Sequence, residues 1–292
     1  MILWCDGAHA PDENMRRDEA LLAALESAPA AESSGAAQSS EGAHPEAVLR
    51  LFRFEPHGIT LGRAQRPAQA LDLERCRADG VPWAVRPTGG RAIFHAEEWT
   101  YSLAAGIADP EWGGSLSEAY DRAATLILRS LLRLGVPAAL VPRDTRGGAE
   151  SPRAEADSAP AAPGRRRDLS GAACFASTAR HEIVLGGRKL VGSAQRRGAR
   201  ALLQQGSLLL GPGHERLADY LDLPDARRAA VRSELAMSAT HAGGILGAQA
   251  PLARWADALM AELPAGTRRI EGDAGASLLT LAEAASYTAR LP

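Results

Sequence analysis

Lysine is almost missing from this 292-residue chain: Lys189 is the sole one among 33 cationic side chains. The arginine excess reads as compositional bias, since most helix and surface roles accept either cation. A lysine kept in such a chain marks a position that a guanidinium does not fill. Cysteine is scarce too. Cys5, Cys76 and Cys174 are odd in number and widely spaced, which excludes a disulfide framework, and no CxxC pair suggests zinc. No run of eighteen apolar residues occurs, so no membrane span is expected. The opening "MILWCDGAHAPDENMRRDEALL" lacks the basic start and long apolar stretch of a secretory leader, and the cytoplasm is the expected location. A basic excess is also lacking: the net charge of −2 argues against nucleic acid as a partner. No internal repeat is visible.

What is present reads as strands followed by helices. "DENMRRDEALLAALE" (12–26) has an acidic start and gathers Met15, Ala20, Leu21, Leu22 and Leu25 on one side, which predicts a helix. "AVLRLFRFE" and "GITLGRAQ" read as half-buried strands, and "LDLERCRADG" as a short helix closed by Gly80. "PWAVRPTGGRAIFHAEEWTYSLAAG" holds two or three strands with a glycine hairpin at its start. "SLSEAYDRAATLILRSLLRLG" (115–135) is a helix: Ser115 and Glu118 have capping-box spacing, and Leu116, Ala119, Ala123, Ile127 and Leu131 form a stripe that stops at Gly135. "HEIVL", "KLVGSAQR" and "ALLQQGSLLL" make three antiparallel strands joined by tight glycine turns. From 214 onward the patterns are helical. Two stretches, 27–46 and 143–168, are small, polar and rich in proline, and are expected to be flexible insertions. The whole predicts one α+β domain, 1–292, built on a large, mainly antiparallel sheet flanked by helices.

Chemistry concentrates in a few positions. Cys174, at the exit of the second insertion, is either a small buried hydrophobe or a thiolate able to attack a thioester or acyl-adenylate carbonyl, provided a cation or base lowers its pKa. Lys189 is the obvious partner, as an ammonium beside a thiolate and carbonyl or, desolvated, as a base. It can equally be a surface charge at a strand start. His181 near Cys174 is a second candidate base. In "RPTGGRAIFH", Gly89 and Gly90 let backbone approach a ligand, while Arg86 and Arg91 suit phosphate or carboxylate. Small residues in "GSAQ" (Gly192, Ser193, Ala194) offer backbone amides to an acyl oxygen. His95 lies either in this wall or in the core.

"NMRRDEALL", "RPTGGRAIFHAEEWTYS", "CFASTARHEI", "GGRKLVGSAQRR" and "LLQQGSLLL" follow one another as in the biotin/lipoate protein ligase and transferase superfamily. The resemblance runs from about residue 12 to 210, and the cysteine-phenylalanine pair ahead of the lysine strand looks most like the octanoyltransferases of lipoate assembly. It implies transfer of an octanoyl group from acyl carrier protein to a lysine of a lipoyl domain, on glycine-cleavage H protein or a dehydrogenase subunit. Cys174 would carry the acyl group as a thioester and Lys189 would support it, with no cofactor or metal. Arg86, Thr88, Gly89, Gly90, Arg91 and His95 would line the acyl tunnel, with Gly192, Ser193, Ala194, Gly206 and Ser207 on the facing strands. Ala96 and Gln205 depart from the family, which usually has aspartate and histidine there. The alternative on the same scaffold is a lipoate–protein ligase using ATP and magnesium, with Lys189 on the carboxylate and α-phosphate. A biotin ligase fits less well, because no "GRGR" loop appears. A third reading is a non-catalytic homologue that only binds a lipoyl domain or carrier protein.

Overall fold

The computed structural model describes residues 1–28, 46–141, 182–275 and 277–279. Both predicted insertions fall almost wholly outside the described residues, as do Cys174, Phe175, His181 and most of 278–291. Strands β1 (Ile2–His9), β2 (Val48–Phe54), β3 (Gly58–Leu61), β4 (Trp83–Val85), β5 (Ile93–His95), β6 (Glu98–Gly106), β7 (Ala139–Leu140), β8 (Ile183–Leu185), β9 (Arg188–Arg197), β10 (Ala201–Leu209) and β11 (Arg268–Glu271) form two sheets. The larger runs β11-β1-β2-β6-β10-β9-β8-β7 and the smaller β4-β3-β5. In the larger sheet β1 lies parallel to β11 and β2, and the other five pairings are antiparallel.

Helix α1 (Pro11–Ser27) covers one face of that sheet. Its Leu21, Leu22 and Leu25 pack with Ile2, Trp4, Val48 and Leu203. After the short α2 (Pro67–Ala70) and α3 (Leu73–Ala78), helix α4 (Leu116–Arg133) packs on the opposite face with α8 (Leu252–Met260). There Ile127, Leu131, Trp255 and Leu259 meet Leu51, Trp99, Tyr101 and Leu208. Between α4 and α8 run α5 (Leu217–Tyr220), α6 (Asp225–Ser238) and α7 (Gly243–Leu246). Residues of α5 and α6 cover the small sheet with Phe94, Ile59 and Leu61. The α4 capping box forms as the spacing predicts, and Gly135 ends the helix at φ +81°. Leu116 departs from its stripe: it is exposed in the first turn, beyond the sheet edge that buries Ala119 and Ala123.

Three expectations need correction. The "RPTGG" segment is no hairpin, because β3 lies between β4 and β5, parallel to one and antiparallel to the other. It is a loop crossing over the end of β3. Next, β11 breaks the helical tail, where "RRIE" adds a parallel edge beside β1. Finally β1, not anticipated at all, sits inside the sheet. Its apolar start reads as a buried parallel strand only once a second strand is known to flank it. Beyond Cys5 its register slips by a bulge, which leaves Asp6 unpaired in the ladder and turns its carboxylate onto Arg50.

Candidate active site

Between the α1 face of the large sheet and the small sheet lies a narrow cleft, open at one side. Met15 of α1, Phe52 and Phe54 of β2 and Ile93 of β5 make its apolar wall. Arg86, His95, Gly192, Ser193, Ala194, Gly206 and Ser207, all anticipated, line the rest. Two distant stretches, 86–95 and 192–207, therefore meet because β6 and β10 pair in the middle of the sheet and the small sheet folds over them. Among the described residues no strand pairs with the outer edge of β9 beyond Val191, so the "GSAQ" backbone lies at a ladder end.

The glycine loop is held from within. The Arg86 guanidinium is buried and donates to the carbonyls of Gly89 (2.7 Å), Arg91 (2.8 Å) and Thr60 (3.3 Å). It serves the loop's own backbone. Gly90 takes φ +97°, and a Cβ there would fall 2.6 Å from the Arg86 guanidinium. A Cβ on Gly62 would sit 1.9 Å from the Gly90 carbonyl oxygen, so the loops after β3 and β4 touch backbone to backbone. Gly89 differs, for a Cβ there meets nothing within 4 Å. Gly89, Gly90 and Arg91 thus shape the rim without lining the cleft. Thr88 is buried and donates to Gln205 Oε1 at 2.6 Å. Gly206 is demanded by packing on the opposite face, where a Cβ would lie 2.4 Å from the Tyr101 ring.

His95 stacks on Phe54 with ring centroids 3.8 Å apart. Its Nε2 meets Thr60 Oγ1 at 2.7 Å and its Nδ1 meets Glu98 Oε1 at 2.6 Å. Thr100 and Ser207 also donate to Glu98 Oε1, at 2.7 and 3.0 Å. Glu98 Oε2, though buried, has no partner among the described residues, and neither has Arg53 Nε. Burial lowers the Arg53 pKa, opposed by the nearby Glu98 charge.

Behind the cleft runs a buried ionic chain that sequence reasoning missed. Arg50, fully buried, donates from Nε to Asp6 (2.7 Å), from Nη1 to Asp18 (2.8 Å) and from Nη2 to Asn14 (2.6 Å). Its plane covers the Phe52 ring at 3.9 Å. Asp18 Oδ2 accepts from Gln205 Nε2 at 2.6 Å, and Gln205 Oε1 accepts from Thr88. Asp18, Gln205 and Thr88 so connect α1, the centre of the sheet and the glycine loop. Asn14 and Asp18 recur at helical spacing on the face that also carries Met15 and Leu22, and Arg50 sits in an apolar strand. That is the signal that a buried counter-ion set leaves in a sequence.

Lys189 lies elsewhere. It is buried on β9, paired with Val184 of β8, and its Nζ forms an ion pair with the Glu182 carboxylate. It does not line the cleft, although its strand supplies Gly192 to Ala194 three residues on. Glu182, which receives it, was not anticipated.

A helix-covered sheet with a second, smaller sheet folded across its centre, and a cleft between them, make this an α+β domain. The chain belongs to the lipoyl protein ligase A/B catalytic domain family, whose model matches residues 11–263. It is 34% identical to "Octanoyltransferase LipM" of Symbiobacterium thermophilum over 75% of this chain and 69% of that protein. It is 37% identical to the protein of the same name from Kyrpidia tusciae over 62% of this chain, a match that spans about 60% of that relative's length. Among solved structures, an archaeal bipartite lipoate protein ligase from Thermoplasma acidophilum aligns with TM-score 0.62 at 15% identity, over 95% of this chain and 89% of the other. At that identity the likeness speaks for the fold. Among the described residues no helix is long and apolar enough to cross a membrane.

Proposed function

We propose that this protein is an octanoyltransferase of lipoate assembly, acting in the cytoplasm. It takes an octanoyl group from acyl carrier protein and passes it to a lysine of a lipoyl domain. The observation that carries this reading is the identity with octanoyltransferases across three quarters of the chain. The cleft agrees with it: an apolar wall of Met15, Phe52, Phe54 and Ile93 suits an alkyl chain, and a polar end at Ser207 and His95 suits the carbonyl. Arg86 is engaged by three backbone carbonyls, which favours acyl transfer over the ligase alternative that would spend it on phosphates.

In the first step the Cys174 thiolate attacks the carrier thioester: a C–S bond forms to Cys174 and the carrier thiolate leaves with the electron pair. In the second, the neutral amine of the acceptor lysine attacks the acyl-enzyme. A C–N bond forms and the Cys174 thiolate leaves; of the two protons that the incoming ammonium loses over the cycle, one goes to the departed carrier thiolate and one to solvent. Thioester exchange is nearly balanced, and the amide makes the second step downhill. Lys189, paired with Glu182, supports that reaction through its strand, which carries Gly192 to Ala194 into the cleft. Neither nucleotide nor metal takes part. The acceptor is H protein or a dehydrogenase subunit.

The test is intact mass after mixing the protein with octanoyl-carrier protein and no ATP. A hydroxylamine-labile adduct, lost in Cys174→Ala and strongly reduced in Lys189→Arg, is expected. No adduct, with lipoyl-domain modification that needs free lipoate and ATP, would replace transfer by ligation.

A further inference from the structure

A second, small cavity adjoins the acyl cleft and shares Phe54 and His95 with it as a common wall. Its character is opposite. Arg53, His57, Glu97, Glu98 and Gln249 surround it, and the exposed His57 opens it to solvent. Two of these residues carry the orphaned atoms. Glu98 is 4% exposed, and three donors crowd its Oε1 while Oε2 accepts from none of the described residues. Arg53 donates through Nη2 to the Ala250 carbonyl, while its Nε–H has no acceptor among the described residues. A buried acceptor and a buried donor left open on two residues that line one cavity are costly unless a ligand meets both. Glu97, whose Oε2 takes the Gly213 amide at 3.1 Å, is already used by the fold.

We propose that this cavity is a subsite for a secondary amide of the thioester donor's carrier arm, its N–H given to Glu98 Oε2 and its C=O accepting from Arg53 Nε. A secondary amide presents one donor and one acceptor on opposite edges, which is the complement of what the cavity offers. A carboxylate would face Glu98 and an ammonium would face Arg53, so neither simple ion fits. The position also suits the chemistry. An arm that delivers an acyl group past His95 into the cleft has its amides a few bonds behind the thioester sulfur, on the far side of the shared wall. The site rests on the acyl-transfer reading and deepens it: octanoyl transfer fixes the acyl group, and the amide subsite would fix the leaving arm.

Two small donors of matched shape, each rate divided by its rate with a free thiol, test it: S-octanoyl N-acetylcysteamine, and its ester isostere S-octanoyl 2-mercaptoethyl acetate, in which oxygen replaces the amide nitrogen. Acyl-enzyme formation is followed by intact mass, and kcat/KM is compared. The wild-type protein is expected to prefer the amide by about tenfold or more, the size of one hydrogen bond to a charged partner. Glu98→Gln, which keeps the shape, leaves its amide oxygen with the three donors and puts an NH2 in place of Oε2, should bring that ratio near one. A merely structural role for Glu98 would depress both donors and leave the ratio standing. A wild-type ratio near one overturns the subsite without any variant. So does a ratio unchanged in Glu98→Gln, or failure of both small donors where octanoyl-carrier protein reacts. Absence of an adduct from every donor, carrier protein included, would instead overturn the acyl-transfer reading itself.

Discussion

Replacing Gln205 by leucine should cost more than any hydrogen-bond count at the cleft surface suggests. The side chain is buried, donates to Asp18 Oδ2 at 2.6 Å and accepts from Thr88 Oγ1 at 2.6 Å. Leucine fits the space but meets neither group. Asp18 keeps Arg50 and Ser102 on its other oxygen, and its Oδ2 becomes an unpaired acceptor at zero exposure. Stranding it costs about 1.5–3 kcal/mol, and the buried Thr88 hydroxyl adds about 1–3 kcal/mol. The total, about 2.5–6 kcal/mol, is a large share of a typical domain's ~5–15 kcal/mol. Thr88→Val alone removes the donor and strands only Gln205 Oε1, for about 1–3 kcal/mol. The double variant loses the shared bond once, so it should be more stable than the sum of the singles by about 1–2 kcal/mol. Urea unfolding followed by the fluorescence of buried Trp4, Trp99 and Trp255 measures all three, with an unchanged m-value as the check on the denatured state. Additivity within about 0.5 kcal/mol would show that Thr88 and Gln205 do not share a bond in solution, and the link from sheet to glycine loop would fall.

The two loop glycines should separate. Gly89→Ala, with open space around the new methyl, is expected to hold stability within about 0.5 kcal/mol yet slow acyl-enzyme formation. Gly90→Ala, at φ +97° and against Arg86, should lose about 1–3 kcal/mol. Thermal melts beside adduct mass tell them apart, and equal behaviour would refute the division. Thiol labelling isolates the proposed nucleophile: burial pushes Cys5 up to about 11 and raises Cys76, so iodoacetamide at pH 8 should modify one thiol of the folded protein, Cys174. For Cys5 the sign is that of a neutral group held by burial. Its contribution to stability is complete below the ordinary value of 9.0 and is lost as pH rises towards about 11. Labelling of two or three thiols at pH 8 would break the assignment.

Local chemistry was legible and pairing was not. The Ser115 cap, the Gly135 stop and the strands around "GGRKLVGSAQR" depend on neighbours within a turn or a hairpin, and they stand where the pattern put them. The β4–β5 segment failed for the complementary reason, since alternation announces a strand but does not say that β3, some twenty residues earlier, will slide between two others. Polarity misled in the same way. Asp6, Asn14, Asp18 and Arg50 look like surface residues singly, and only their convergence in space cancels the charge that would forbid burial. Lys189 stood out by rarity, whereas Glu182, which answers it, was one acid among 35 acidic residues. The "GG" of the loop combines both cases. Gly90 is glycine because Gly62 and Arg86 press against it, a requirement of the fold. Gly89 is pressed by none of the described residues, so their packing does not require its missing side chain, and a ligand moving along the rim supplies one reason for it. A single doublet thus carries a packing constraint and a binding constraint in adjacent residues, separable only when the space around each is known.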